Sequence, residues 1–355
     1  MDGRVAVITG AAGGIGGELA RVVHSLGGTV VALDRNVEGL ETLKTSLDGY
    51  TDNRVWTLPT QHEDLASVAA TADLIKDRFG GVDLLINNAG LAYPADSIPG
   101  RSNMKSAHGM DLAFTVNYLS HFLLTEKLLS NLSDARGRII HVTSTYHWKV
   151  NGSELLPRPD GGSPIAYESD PARQSANHVG RSYGNTKLAQ IWHSRCIHRL
   201  GLSTTDLQCS SVCACPTWAA TGIAGEGGRD FLEKMAFPVS GVGPGITSAI
   251  NAMLRTDEEL RSGDTLDDGK CIVANSRILE YLKGRETILT SKFVTETLGW
   301  RDALTDICGF ILLLGQRFTY DEFIMQQSSP NSFDDVGKRE EFYRWSLKEV
   351  GPWIN

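Results

Sequence analysis

Val5-Ala6-Val7-Ile8-Thr9-Gly10-Ala11-Ala12-Gly13-Gly14-Ile15-Gly16 is a short apolar run that passes through a glycine-rich turn into a helix-length amphipathic segment, Gly16 to Ser25. The order matters more than the glycines. An apolar strand before the turn and a helix after it are the context a dinucleotide fingerprint requires, whereas an ordinary tight turn needs neither. Glycines let the backbone turn sharply and approach a pyrophosphate closely. The free N–H groups and the dipole at the helix start face its negative charge.

Outward from this stretch, the first 145 residues alternate β-branched runs with amphipathic segments. Val5 to Thr9, Thr29 to Leu33, Val55 to Leu58, Leu84 to Ile86 and Arg138 to Thr143 read as strands; Gly16 to Ser25, Glu38 to Leu47, Asp64 to Phe79 and Leu112 to Ser130 read as helices. Near-continuously apolar strands alternating with helices predict an α/β fold, a Rossmann-type doubly wound parallel sheet with helices on both faces. Such a sheet binds ligands at the carboxyl ends of its strands.

The rhythm breaks after Thr143. Residues His147 to Gly180, rich in Gly, Pro, Ser and Asp, read as a long loop or lid inserted into the fold. A helix from about Arg181 to Leu200, a strand near Leu207 to Ala214, a Gly-rich loop at Gly222 to Gly228, a helix near Gly245 to Leu254 and a strand near Lys270 to Ala274 follow. Residues 276–355 read as a mostly helical C-terminal extension packed on a catalytic domain of residues 1–275. Its apolar residues, Leu298, Trp300, Phe310 to Leu314, Phe318 and Trp345, require burial, on that domain rather than on a partner or membrane.

Composition narrows the class. A chain of 355 residues with 41% hydrophobic and 21% charged residues can bury a full core. A net charge of −8 argues against nucleic acid and against an anionic membrane surface. The apolar run Ile307 to Leu314 is too short to span a bilayer. The apolar strand begins almost at Met1, leaving no room for a signal peptide. The cysteines, Cys196, Cys209, Cys213, Cys215, Cys271 and Cys308, lack metal-ligand spacing and read as buried, reduced thiols, with no metal expected and a cytoplasmic setting the simplest one.

The chemistry is carried by Tyr183-Gly184-Asn185-Thr186-Lys187, which puts a tyrosine and a lysine on one helix face. Alone the pair is common. It gains weight from the glycine-rich turn, Asn87-Asn88-Ala89-Gly90, Asn117 and Ser144 ahead of it. Asp34 closes the second strand, 18 residues after Gly16 (34 − 16), where a carboxylate can accept from adenosine ribose hydroxyls. A 2′-phosphate would meet like charge there, which favours NAD. Arg35 next to it can pair that phosphate, which keeps NADP as the alternative.

Together these motifs resemble the short-chain dehydrogenase/reductase family over roughly Met1 to Ala274. Phe114 to Thr125, Ile139 to Ser144 and Glu341 to Gly351 are similar to its retinol dehydrogenase-like branch. The resemblance implies that Tyr183 is the general acid/base at the substrate oxygen and that Lys187 binds the nicotinamide ribose and lowers the tyrosine pKa from its ordinary value near ~10. Ser144 would orient the substrate oxygen, and Asn117 would hold a water that extends the proton relay. Thr9, Gly10, Gly14, Ile15 and Gly16 would form the pyrophosphate turn; Asn88, Ala89 and Gly90 would line the adenosine ribose; Pro216, Thr217 and Thr221 would lie at the nicotinamide.

Three departures stand out. Gln61 occupies the place of the family's adenine-contacting aspartate, and Pro216-Thr217 stands where Pro-Gly is usual. Ser144 and Tyr183 are 39 residues apart (183 − 144), so an insertion lies over the site. Its aromatics, Tyr146, Trp148 and Tyr167, with His147 and His178, are candidates to shape a substrate pocket; His121 and His141 read as structural.

The expected function is an NAD(P)-dependent oxidoreductase acting on an alcohol or ketone, with a bulky, apolar retinoid-, steroid- or lipid-like substrate implied by the resemblance. A homodimer through the two long helices, Leu112 to Ser130 and Arg181 to Leu200, is implied likewise. A nucleotide-sugar epimerase or dehydratase is the first alternative, since Gly10, Gly13 and Gly16 also satisfy a Gly-x2-Gly-x2-Gly spacing. A non-catalytic cofactor-binding scaffold is the second.

Overall fold

The computed structural model of the chain describes residues 1–48, 53–91, 105–132, 137–144, 147, 150–160, 162–164, 176–203, 209–216, 247–254, 265–267 and 335–354. Strands β1 (Val5–Thr9), β2 (Thr29–Asp34), β3 (Val55–Pro59), β4 (Leu84–Asn87), β5 (Arg138–Val142), β6 (Ser210–Cys215) and β7 (Thr265–Asp267) form one sheet in the order β3-β2-β1-β4-β5-β6-β7. Every pairing is parallel. The strand order reverses between β1 and β4, which opens a crevice at their carboxyl ends, where Thr9 and Asn87 stand.

Period-two alternation explains why both faces are covered. Ala6, Ile8, Val30, Ala32, Leu84, Ile86, Ile140, Val142, Val212 and Ala214 point to one face; Val7, Val31, Leu33, Leu85, Ile139 and Cys213 point to the other. Helices α1 (Gly14–Ser25), α2 (Val37–Asp48) and α7 (Thr247–Leu254) cover the first face through Leu19, Val23, Leu40 and Ala249. Helices α3 (Leu65–Arg78), α5 (Ser120–Leu128), α6 (Ala176–Ser203) and α8 (Val336–Ile354) cover the second through Leu65, Phe122, Trp192 and Phe342. The expected doubly wound sheet is therefore present.

Several boundaries differ from expectation. The helix read over Leu112 to Ser130 is divided into α4 (Leu112–Phe114), a π-turn (Thr115–Leu119), α5 and a 3-10 turn (Leu129–Asn131). In the π-turn the Ser120 N–H reaches back to the Thr115 carbonyl, widening the coil around Asn117. Apolar periodicity cannot register such a turn, because it adds one residue without breaking the buried stripe. Helix α6 begins at Ala176, inside the segment read as loop up to Gly180. The strand read at Lys270 to Ala274 lies outside the described residues; the seventh strand is Thr265–Asp267.

The described beginning of the insertion packs on the core. Val150 and Leu155 are buried members of the core, and Leu156 packs against it. Gly152, at φ +77°, lies so close to the Trp192 ring that a Cβ there would sit 2.4 Å from it. Proline and glycine density marks this stretch as a loop or lid, and the apolar residues between them decide how its beginning packs. Of the pocket candidates in the insertion, Tyr146, Trp148, Tyr167 and the His178 side chain lie outside the described residues.

Helix α8 lies against α3, α5 and α6. Phe342 stacks on Tyr118 with ring centroids 5.1 Å apart, and the Tyr118 and Ser346 hydroxyls meet at 2.8 Å. Tyr343 donates to Glu126 Oε1 at 2.8 Å, and Lys127 Nζ donates to the Trp353 carbonyl at 3.3 Å. Trp345 packs partly buried against the same core; Leu298, Trp300, Phe310 to Leu314 and Phe318 lie outside the described residues. Among the described residues no helix is long and apolar enough to cross a membrane.

Candidate active site

At the glycine-rich turn the backbone is left-handed at Gly10 (φ +67°) and Gly14 (φ +55°). These conformations favour glycine, because a Cβ would meet the neighbouring carbonyl. Gly16 is required by proximity instead: a Cβ there would lie 2.2 Å from the Gly10 carbonyl oxygen and 2.6 Å from Asn88 Nδ2. A Cβ on Gly13 would meet nothing within 4 Å, so the turn faces open space. Helix α1 starts there with no side-chain cap and no acidic residue in its first turn, leaving its N–H groups available to an anion.

Asn88 and Thr9 knit the turn to the end of β4. Asn88 Nδ2 donates to the Thr9 carbonyl at 2.8 Å, while the Asn88 and Ala89 N–H groups both donate to Thr9 Oγ1 at 2.8 Å. Ile15, the remaining residue of the expected pyrophosphate turn, is half-buried and packs at the edge of the core. At the end of β2, Asp34 Oδ2 accepts from the Ala12 N–H at 3.0 Å and Oδ1 from the Asn36 N–H at 2.9 Å, so the carboxylate also braces the turn. Arg35 faces Glu63, with Nη1 3.7 Å from Oε2. Gln61 is exposed, and its backbone N–H donates to Ser67 Oγ at 3.0 Å.

The catalytic candidates gather where β5 ends. Ser144 follows that strand by two residues, and its carbonyl accepts from His147 Nδ1 at 2.6 Å; burial pushes the His147 imidazole down to about 4. Lys187 is only 2% exposed, and its Nζ donates to the Val142 carbonyl at 2.9 Å. The same Nζ stands 5.4 Å from the centroid of the Tyr183 ring. Burial lowers the Lys187 pKa from 10.5 to about 8, with Cys215 and Cys213 acting in the opposite direction. Thr143 Oγ1 donates to the Lys187 carbonyl at 3.0 Å, a second tie between α6 and β5.

Asn117 is buried at the centre of the π-turn. Its Oδ1 accepts from the Leu91 N–H and its Nδ2 donates to the Leu91 carbonyl, both at 2.8 Å. Nδ2 also lies 3.1 Å from Thr186 Oγ1. A Cβ on Gly90 would be 3.3 Å from Asn117 Oδ1, so that segment runs close to the π-turn. Asn185, between the two catalytic candidates on α6, donates from Nδ2 to Glu154 Oε2 of the insertion. Pro216 follows β6 directly; Thr217 and Thr221 lie outside the described residues.

Two residues outside the expected site, one of them not singled out from the sequence at all, touch this constellation. His121, read as structural, bonds Thr9 Oγ1 through Nε2 at 2.9 Å and the Asn117 carbonyl through Nδ1 at 3.0 Å. Gln190 Nε2 donates to that carbonyl at 2.8 Å. His121 stands four residues after Asn117 and Gln190 three after Lys187, so each shares a helix face with a site candidate, although the group Gln190 bonds lies on the neighbouring element. Nothing in a single sequence says which polar residue of such a face crosses to the neighbouring element.

Residues 4–153 match the sequence profile of the short chain dehydrogenase family. Over these residues the chain is similar to the short-chain dehydrogenase/reductase family. The matched stretch holds the glycine-rich turn, Asn88 to Gly90, Asn117 and Ser144, and ends before Tyr183. Among curated relatives, D-threitol dehydrogenase of Mycolicibacterium smegmatis is 34% identical over 143 residues, 39% of this chain and 52% of that protein. The chloroplastic short-chain dehydrogenase TIC 32 A of Brassica napus is 30% identical over 204 residues, 55% of this chain and 57% of that protein. The chain thus spans about half the length of the curated relatives it matches. In fold, the chain is similar to a short chain dehydrogenase from Burkholderia cenocepacia solved in complex with NADP, with a TM-score of 0.54, 18% identity and coverage of 75% of this chain and 96% of that one.

Proposed function

We propose that this chain is a nicotinamide-dependent oxidoreductase that interconverts an alcohol and its ketone, with Tyr183 handling the proton. The observation that carries the reading is the buried Lys187 ammonium, tied to Val142 and 5.4 Å from the Tyr183 ring centroid, at the same sheet end as the glycine-rich turn. The turn fits a dinucleotide: its backbone is left-handed at Gly10 and Gly14, closed to a Cβ at Gly16, open in front of Gly13 and uncapped at the start of α1. A bound nicotinamide would supply the site that gives or takes the hydride.

In this reading the chain's residues bind, orient and move one proton. Thr9, Gly10, Gly14, Ile15 and Gly16 would hold the pyrophosphate, Asp34 would accept from the ribose hydroxyls, and Asn88, Ala89, Gly90 and Gln61 would hold the adenosine. By the family resemblance, Pro216 would lie at the nicotinamide, with Thr217 and Thr221 assigned there from sequence alone. In the oxidation direction Tyr183 Oη takes the substrate's hydroxyl proton, and in reduction it returns one to the carbonyl oxygen. The positive charge of Lys187 favours the phenolate, and Ser144 orients the substrate oxygen. Asn117 serves the relay by holding the Leu91 segment and Thr186 in place.

Asp34 supports NAD as the preferred cofactor, and the Arg35–Glu63 pair supports it further by occupying the arginine that a 2′-phosphate would need. NADP, present in the Burkholderia cenocepacia complex, is the alternative. The substrate proposed is bulky and apolar, by resemblance to the retinol dehydrogenase-like branch. The buried free thiols Cys196, Cys209, Cys213 and Cys215 support a reducing compartment, the cytoplasm in the simplest case. The homodimer enters this reading in altered form: the chain's own last helix occupies faces of α5 and α6, so two chains would meet elsewhere.

The test is direct. Titration with NADH and NADPH measures cofactor binding, and a panel of alcohols offered with either oxidised cofactor measures turnover. Tyr183→Phe should lower kcat by about a hundredfold or more with cofactor Kd nearly unchanged. Turnover of the Phe variant close to that of the parent would end this assignment.

A further inference from the structure

Thr9 Oγ1 is completely buried and has four polar neighbours: the Asn88 and Ala89 N–H groups at 2.8 Å, His121 Nε2 at 2.9 Å and the Ile86 carbonyl at 3.4 Å. A hydroxyl has two lone pairs and one proton. The two N–H groups take both lone pairs, so the proton must go to an acceptor. The other ring nitrogen settles which one. His121 Nδ1 faces the Asn117 carbonyl at 3.0 Å, and a carbonyl only accepts, so Nδ1 carries the hydrogen. In the neutral ring Nε2 is then a bare acceptor, and the Thr9 O–H points at it. Burial keeps the ring neutral by holding its pKa well below the ordinary histidine value.

The bonds close into a circuit. Thr9 holds Asn88 and Ala89; Leu91, two residues further on, is clamped at both its N–H and its carbonyl by the Asn117 side chain; the Asn117 carbonyl binds His121; His121 returns to Thr9. The Gln190 side chain and Thr186 attach the catalytic helix α6 to the same asparagine. We propose that His121 is a positioning residue of the dinucleotide site: it fixes the direction of the Thr9 hydroxyl and so joins the glycine-rich turn, the Asn88–Gly90 segment and the Asn117 π-turn in one rigid frame. This rests on the oxidoreductase reading only for its consequence on cofactor binding.

Replacing the imidazole by an apolar ring leaves the Thr9 proton with the Ile86 carbonyl as its remaining acceptor. Turning toward it swings the lone pairs away from the Asn88 and Ala89 N–H groups, which are then free to exchange. Hydrogen exchange on the cofactor-free chain therefore reads the frame without any appeal to activity. His121→Phe and Thr9→Val should each raise exchange at Asn88 and Ala89 by about tenfold beyond the change at β1 amides, whereas His121→Gln, whose Oε1 can accept the Thr9 proton, and Thr9→Ser should stay within about threefold. The double variant T9V/H121F should match Thr9→Val alone, since His121 reaches the Asn88 and Ala89 N–H groups only through the Thr9 hydroxyl that Thr9→Val already removes.

Cofactor Kd should follow the same ranking. A uniform rise in exchange across the sheet, or fully additive effects in the double variant, would overturn the proposal and leave His121 as a core side chain. If His121→Phe does not fold, the Thr9→Val and Thr9→Ser pair decides: equal exchange at Asn88 and Ala89 in the two overturns it. A parent chain that binds neither cofactor yet keeps the exchange ranking would overturn the oxidoreductase reading and leave the frame intact.

Discussion

Lys187 holds the sharpest electrostatic tension among the named residues. A lysine side chain normally reaches water, and here it ends at a backbone carbonyl with 2% of its surface exposed. The folded chain releases its proton at about 8, the unfolded chain at the ordinary 10.5. Between those values the unfolded state binds more protons, so this group adds to stability as pH rises through that window; below about 8 the cost of burying the charge is fully present. NMR titration of lysine Cε signals in the cofactor-free chain should find one lysine titrating near 8 that is missing in Lys187→Arg. A spectrum in which every lysine titrates above 10 would remove the argument.

Asp34 gives a second prediction at this scale. Asp34→Ser removes the negative charge while keeping an oxygen to accept from Ala12 or Asn36, so the NADP to NAD ratio of kcat/KM should rise. Adding Glu63→Gln should raise it again, because Arg35 loses the carboxylate 3.7 Å away. No further gain in the double variant would mean that Arg35 does not reach the 2′-phosphate.

Among the elements, the insertion between β5 and α6 is the one whose character changed most from sequence to structure. Residues 153–155 form a 3-10 turn whose Leu155 is completely buried, and Glu154 beside it accepts from Asn185 of α6. Through these contacts residues 153–155 brace α6 from outside. Leu155→Ala should lower unfolding free energy by about 2–5 kcal/mol, as for other buried leucines. Urea denaturation measures it, and a loss below about 1 kcal/mol would mean that Leu155 does not anchor residues 153–155. Replacing Ser153 to Asp170 by a Gly/Ser linker should accordingly destabilise the chain as well as alter KM.

The π-turn shows the opposite relation between element and site. It costs regular hydrogen bonding in the middle of an apolar helix, and it occurs where Asn117 must present a side chain to Leu91 and a carbonyl to His121 and Gln190 at once.

At the scale of the whole molecule, α8 is joined to the sheet by packing rather than by strand pairing. Phe342 is 1% exposed and stacks on Tyr118 and on Trp345, with an edge contact to Trp192. Around it Arg199 pairs with Glu340 at 2.9 Å and Tyr343 with Glu126. Phe342→Ala should cost about 3–5 kcal/mol in urea denaturation. Removing residues 336–354 should bare Tyr118, Phe122 and Trp192 and turn a well-behaved chain into one that self-associates. A soluble, fully active truncation would mean that α8 is dispensable to the fold.

What a single sequence determines here follows from local periodicity and from motifs whose spacing is local. Strand period, helix period and the glycines of Thr9 to Gly16 each report on neighbours a few residues away, so the parallel sheet, its order of elements and the Tyr183–Lys187 helix face were legible from residues alone. Gly16 was legible too, although its reason, the Gly10 carbonyl 2.2 Å from a would-be Cβ, was not. The tertiary structure alone decided that Leu155 is core, that α8 lies over α5 and α6, and that His121 faces Thr9 across 112 residues of chain. Those facts depend on which groups meet after the chain has folded back on itself. A buried hydroxyl takes its partner from that meeting, and sequence distance carries no record of it.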